Sequence, residues 1–126
     1  MIGVGCIGIG DWGRNLARNF SQLDGVNLLW CCDINKPRLE KAGKLFPNAQ
    51  LSIDYQSMLV DKKVEAVVIA SSASTHYQLA KEALLAGRHV FVEKPLTLKA
   101  ADAQDLINLA GKFNKKLMVG HLLKYH

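Results

Sequence analysis

Proline and cysteine are scarce in this chain, at three residues each among 126. The few prolines exclude a polyproline or collagen-like architecture. Cys6, Cys31 and Cys32 are an odd number with one adjacent pair, so they make no disulfide framework. All three fall in apolar runs, as reduced thiols of a cytoplasmic protein would. No CxxC or HxxH spacing accompanies them, which speaks against a metal centre. No apolar run approaches the roughly 18 residues that a membrane span requires. No basic segment precedes the first apolar stretch, so no signal peptide is expected. The net charge is +5, yet the sixteen Lys and Arg are scattered and never run longer than two, as at Lys62-Lys63 and Lys115-Lys116. A nucleic-acid surface would gather them on one element beside a recognisable motif, and none is expected here.

What remains is ordinary globular composition: 49% hydrophobic, 21% charged, with ten glycines. A chain of this length suits one domain and can bury roughly two-thirds of its unfolded surface. Short apolar runs alternate with longer amphipathic ones. Residues 2–9, 26–32, 65–70, 88–92 and 116–120 read as strands, with a short extended piece near 50–53. Helices are expected over 12–23, from Lys36 to about Phe46, over 55–60, over 75–86 and over 99–113. Asn35 is placed to cap the second, Pro37 falls in its first turn, and Gly87 stands where a C-cap glycine belongs. Repeated β-α alternation with strands apolar almost throughout predicts an α/β fold: a doubly wound, mostly parallel sheet with helices on both faces.

Ligands of such sheets bind beyond the carboxyl ends of the strands, and here those ends carry the chemistry. Gly8, Gly10 and Gly13 in GIGDWG match G-x-G-x-x-G between a strand and a helix. The first glycine permits a tight turn, the second lets a pyrophosphate approach the backbone, and the third lets helix and strand pack closely. Alone, the pattern could be a glycine-rich turn. Asp33 lies twenty residues beyond Gly13 at the end of the second strand. A carboxylate there can bind both hydroxyls of an adenosine ribose and repels a 2′-phosphate, although Asp is also a common turn residue. Together the two features point to a dinucleotide, with NAD favoured over NADP. Lys36 and Arg38 leave some room for a phosphate.

Ser71, Ser72, Ser74 and Thr75 follow the fourth strand, where hydroxyls can bond a ribose or phosphate or cap the next helix. His76, in the first turn of that helix, reads by itself as a packing or capping residue. Glu93-Lys94-Pro95 ends the fifth strand. As a surface ion pair it would contribute little, but Pro95 restricts Lys94 to extended geometry, which would hold its amine over the pocket. A lysine there can hydrogen-bond a substrate hydroxyl.

GIGDWG (8–13), Asp33, ASSASTH (70–76), AGRHVFVEKP (86–95) and VGH (119–121) together resemble the N-terminal Rossmann-type domain of the glucose–fructose oxidoreductase/inositol dehydrogenase (Gfo/Idh/MocA) family. DWGRNLARNF and GHLLKYH most resemble its branch of UDP-N-acetyl-2-amino-2-deoxyglucuronate dehydrogenases, which oxidise a nucleotide-sugar C3 hydroxyl. The resemblance implies roles. Gly8, Gly10, Asp11 and Trp12 would surround the pyrophosphate, and Asp33 the adenosine ribose. Ser71, Ser74 and His76 would line the middle of the cofactor. Glu93 would reach the nicotinamide ribose, and Lys94 would meet both cofactor and reacting hydroxyl. His121, and Lys124 where the family commonly has Arg, would border the substrate. The family often has Thr-Pro where Ser71-Ser72 stand.

The same resemblance implies that residues 1–121 are the dinucleotide-binding domain and 122–126 begin the crossover to a second domain. That domain supplies the general base, most sugar contacts and usually the homo-oligomer interface. Hydride transfer needs the substrate held against the nicotinamide, so residues 1–126 alone are expected to bind cofactor and turn over little. A free-standing NAD-binding or regulatory module without chemistry is the alternative, against which Glu93 and Lys94 argue. An S-adenosylmethionine site would share the glycine loop and acid but has no use for Glu93-Lys94-Pro95.

Overall fold

The computed structural model describes residues 1–120; His121, Lys124 and the expected crossover at 122–126 lie outside the described residues. Six strands and five helices alternate. They are β1 (Ile2–Ile7), α1 (Asp11–Ser21), β2 (Val26–Cys32), α2 (Lys36–Leu45), β3 (Gln50–Ser52), α3 (Tyr55–Leu59), β4 (Ala66–Ile69), α4 (His76–Leu85), β5 (His89–Glu93), α5 (Ala100–Lys112) and β6 (Leu117–Gly120). A 3-10 turn, Ala73–Thr75, precedes α4. The strands form one sheet in the order β3-β2-β1-β4-β5-β6, and every pairing is parallel.

Side chains of a strand alternate between faces, which sorts the core into two layers. Val4, Cys6, Cys31, Val68 and Phe91 pack with Leu16 and Ala17 of α1 and Ala42 of α2. Ile7, Cys32, Val67, Ile69, Val90 and Val92 pack on the other face with Met58 of α3, Leu79, Ala80, Ala83 and Leu84 of α4, and Leu106 and Ala110 of α5. Both faces of the central strands are thus covered, which is why their sequences lack polar alternation. The register slips once between β1 and β2: Val4 pairs with Leu28, but Gly5 pairs with Trp30. This bulge puts Leu29 and Trp30 on the same side, with the α3–α5 layer.

Local rules set most boundaries. The Asn35 side chain accepts the Arg38 N–H at 3.1 Å, capping α2. Gly87, at φ +82°, ends α4: its N–H donates to Leu84 and that of Arg88 to Ala83, the paired bonds of a left-handed terminus. Three expectations need correction. The first apolar run continues to Ile9, but β1 stops at Ile7 because Gly8 turns the chain at φ +93°. The first helix starts at Asp11 and ends at Ser21, and Leu23, expected on its buried stripe, is 54% exposed in the turn beyond. The helix expected from residue 75 begins at His76, its entry tightened into the 3-10 turn.

Candidate functional site

The strand order reverses between β1 and β4, since β1 leads outward to β2 and β4 leads the other way to β5. Loops leaving the carboxyl ends there must part, opening a crevice. A cavity of about 780 Å³ occupies it, walled by the 8–13 loop, Asp33, Ile34, Arg38, Tyr55 and the 70–75 loop. A second of about 270 Å³ is lined by Trp12, Ala70, Ser71, Ala73, His76, Glu93 and Lys94. Trp12, Ala70 and Ser71 line both, so the two are neighbouring parts of one groove.

The glycine loop is tight for two different reasons. A side chain on Gly8 would come within 2.5 Å of the Ser71 nitrogen, and one on Gly13 would run into the Gly8 carbonyl. Helix α1 can therefore lie against the β1 turn only with glycine at 13. Gly10 differs. Its φ of −72° suits any residue, and a methyl there would meet, among the described residues, nothing nearer than Arg38 at 3.6 Å. Gly10 is also the N-cap of α1 and supplies no side-chain hydrogen bond to it. The helix therefore opens onto the cavity without a side-chain cap and with its positive dipole end facing inward, an arrangement suited to an anion. Asp11 lines the cavity; its side chain is 96% exposed and pairs with Arg14.

Asp33 is buried at the end of β2 and organises its surroundings. Its Oδ2 accepts the Ile9 N–H at 2.9 Å and its Oδ1 the Asn35 N–H at 2.9 Å. The carboxylate thereby ties the glycine loop to the turn after β2, with lone pairs remaining for ligand hydroxyls. Arg38 lies 3.9 Å from Oδ2 and close above Gly10, whereas Lys36 is exposed at the start of α2.

Hydroxyls after β4 are not used as caps, since Thr75 precedes α4 without a side-chain bond to it. Thr75 Oγ1 instead donates to the Ser72 carbonyl at 2.6 Å and lies 2.7 Å from Ser71 Oγ. Ser71, Ser72, Ser74 and Thr75 all line the larger cavity. His76 is 1% exposed and holds backbone with both ring nitrogens: Nδ1 lies 2.7 Å from the Pro95 carbonyl and Nε2 2.9 Å from that of Ser71. It reaches the smaller cavity as wall, its nitrogens already engaged. Glu93 is buried, Lys94 is exposed, and the Lys94-Pro95 peptide is cis.

Ile34, Tyr55, Gln78 and Leu79 also line the larger cavity, although the sequence did not single them out. Ile34 is 89% exposed, and an apolar residue directly after the strand-ending acid was the available signal. Tyr55 donates to Glu82 of α4; burial and that carboxylate push its phenol up, so it remains a neutral donor. Burial pushes the Cys31 and Cys32 thiols up to about 12 and Cys6 well above its ordinary value. None of the three is a nucleophile near neutral pH.

The family model described as "Oxidoreductase family, NAD-binding Rossmann fold" matches residues 2–121. The chain is 37% identical over 127 residues to an inositol 2-dehydrogenase of Salmonella typhimurium strain LT2, covering 99% of this chain and 37% of that protein. It is also 37% identical over 127 residues to a UDP-N-acetylglucosamine 3-dehydrogenase of Acidithiobacillus ferrooxidans, covering 98% and 38% respectively. GenD2 from gentamicin A biosynthesis, solved in complex with NAD, superposes with a TM-score of 0.91 at 31% identity, over 94% of this chain and 34% of that one. The chain thus spans a little over a third of the length of each relative.

Proposed function

The chain belongs to the Gfo/Idh/MocA oxidoreductase family and carries its NAD-binding Rossmann fold, and on that footing we propose that it is the cofactor half of an NAD-dependent dehydrogenase acting on a hydroxyl of a sugar, inositol or nucleotide sugar. The observation that carries this reading is Gly10. Nothing among the described residues crowds that position, so its missing side chain leaves the backbone at an uncapped helix start open to a ligand. A pyrophosphate fits that place by charge and by its need for close N–H groups.

The remaining groups fall in the order a dinucleotide would meet them. Asp33 would accept both adenosine ribose hydroxyls, with exposed Ile34 beside it as an apolar surface for the adenine. Ser71 and Ser74 stand along the middle, and Glu93 would bind the nicotinamide ribose. NAD, when bound, would supply the hydride acceptor. Lys94 would donate a hydrogen bond to the substrate hydroxyl and hold its oxygen in place while a base removes the proton. Relatives named for inositol and UDP-sugar oxidation support that substrate class. Three buried thiols suit a reducing, cytoplasmic setting. No helix among the described residues is long and apolar enough to cross a membrane.

Calorimetric titration with NAD and NADP in parallel tests the reading. We expect saturable binding of both, with NAD the tighter. Tighter NADP would mean that Arg38 prevails over Asp33, and binding of neither would remove the dinucleotide assignment.

A further inference from the structure

The ladder between β4 and β5 runs through Ala66↔His89, Val67↔Val90, Val68↔Phe91 and Ile69↔Val92. Beyond it the two chains enter the loops that carry Ser71 and Lys94 to the groove. These loops come from adjacent strands, and their relative placement fixes the width of the smaller cavity. The His76 imidazole continues the link where the ladder ends. Nδ1 meets the carbonyl of Pro95, directly after Lys94, and Nε2 meets that of Ser71. The ring is 1% exposed and is carried on the first turn of α4, so its own position is fixed by the helix.

We propose that His76 is a positioning residue: it clasps the Ser71 loop to the Lys94-Pro95 loop and so sets the geometry of the nicotinamide end of the groove, without itself touching the reacting atoms. This rests on the dinucleotide reading above. Carbonyl oxygens only accept hydrogen bonds. The ring can donate from either nitrogen, and each nitrogen stands within hydrogen-bond distance of one loop's carbonyl. No aliphatic packing residue of similar size carries polar atoms on two edges of one plane. The clasp holds the smaller cavity and the Ser71 boundary it shares with the larger one, away from Asp33, Gly10 and Arg38 at the other end of the groove.

The two bonds can be removed separately. An Asn amide nitrogen falls near imidazole Nδ1 and a Gln amide nitrogen near Nε2, so His76→Asn keeps the Pro95 bond and His76→Gln the Ser71 bond. His76→Leu removes both. In backbone amide spectra of the unliganded chain, His76→Asn should disturb residues 70–73 and spare 94–97, with His76→Gln showing the reverse. Equal disturbance of both loops by either variant, or of neither, overturns the clasp. For the groove, the affinity of NADH is compared with that of ADP, which lacks both the nicotinamide and its ribose. His76→Leu should weaken NADH roughly tenfold, the scale of a lost hydrogen bond, and leave ADP within about twofold. Equal weakening of both ligands would mean a general loss of packing and sink the positioning role. Failure of the unsubstituted chain to bind either ligand would overturn the dinucleotide reading, and the positioning role with it. The amide spectra would still decide whether the clasp exists.

Discussion

Asp33 is a buried carboxylate with a structural task in place beside the one proposed for it toward a ligand. It accepts two backbone N–H groups, one from Ile9 and one from Asn35. In Asp33→Asn the amide has one oxygen for those two donors, and its NH2 must face the other. We expect NAD to bind roughly tenfold more weakly and the preference over NADP to shrink, since the charge that repels a 2′-phosphate is gone. Parallel calorimetric titrations check this; an unchanged NAD-to-NADP ratio would take specificity away from Asp33. The three loop glycines separate along another axis. Gly13→Ala drives a methyl into the Gly8 carbonyl, and should cost about 1–3 kcal/mol of stability in urea unfolding, as overpacking does. Gly10→Ala should cost less than about 1 kcal/mol, the scale of an N-cap change, while weakening NAD at least tenfold by crowding the phosphates. Asp33 and the glycines were legible because their signal is spacing along one chain. His76 was legible by itself as a packing or capping residue and by resemblance as one lining the cofactor, but its link between two loops was not, because its partners lie five and nineteen residues away in loops that only the folded sheet brings together.

Helix and strand ends were readable where a local device makes them. Asn35 and Gly87 each act within a turn of their helix, and both ends fell where expected. Leu23 misled because helical spacing says nothing about where a helix stops; the chain turns at Asp24-Gly25, and Gly25 has φ +80°. The bulge in β2 gave no sequence signal, since Leu29 and Trp30 are both apolar. Its consequence is measurable. With Trp30 on the α3 side, its indole N–H donates to Asp61 Oδ2 at 2.8 Å, joining β2 to the turn after α3, and the Lys63 N–H donates to Oδ1 at 3.0 Å. These bonds, the indole's first, hold the Asp61 carboxyl below its ordinary value. A carboxylate lowered on folding stabilises the protein fully above its unfolded pKa of about 3.9 and loses that contribution as pH falls through the folded value. The gap in Tm between the protein and Asp61→Asn should therefore be widest near neutrality and close below about pH 4. A gap independent of pH would show that the bond to Trp30 does not discriminate between the two ionisation states.

The whole sheet was legible as a class before it was legible as an order. Apolar strands separated by amphipathic helices demand cover on both faces and so a doubly wound sheet, but periodicity does not say that β4 is the strand that returns to pair with β1 beside β2. That reversal creates the groove, and it is why residues from five separate segments meet there. The three cysteines sample both layers of this architecture. Cys6 and Cys31 lie under α1 and α2, and Cys32 lies under α3–α5. Burial removes them from solvent and pushes the Cys31 and Cys32 thiols up to about 12, so their reaction with a disulfide reagent at pH 8 requires the sheet to open. If the two layers share one cooperative unit, all three thiols become reactive with the same urea dependence, equal to that of global unfolding. Labelling at increasing urea, with each cysteine followed by mass spectrometry, measures those slopes. We expect one slope, because the layers are built on opposite faces of the same strands, and a helix layer cannot leave without exposing β1, β2 and β4 to water. A shallower slope for Cys32 alone would mean that the α3–α5 layer opens by itself, making the Ser71 and Lys94 end of the groove the weaker half of the molecule.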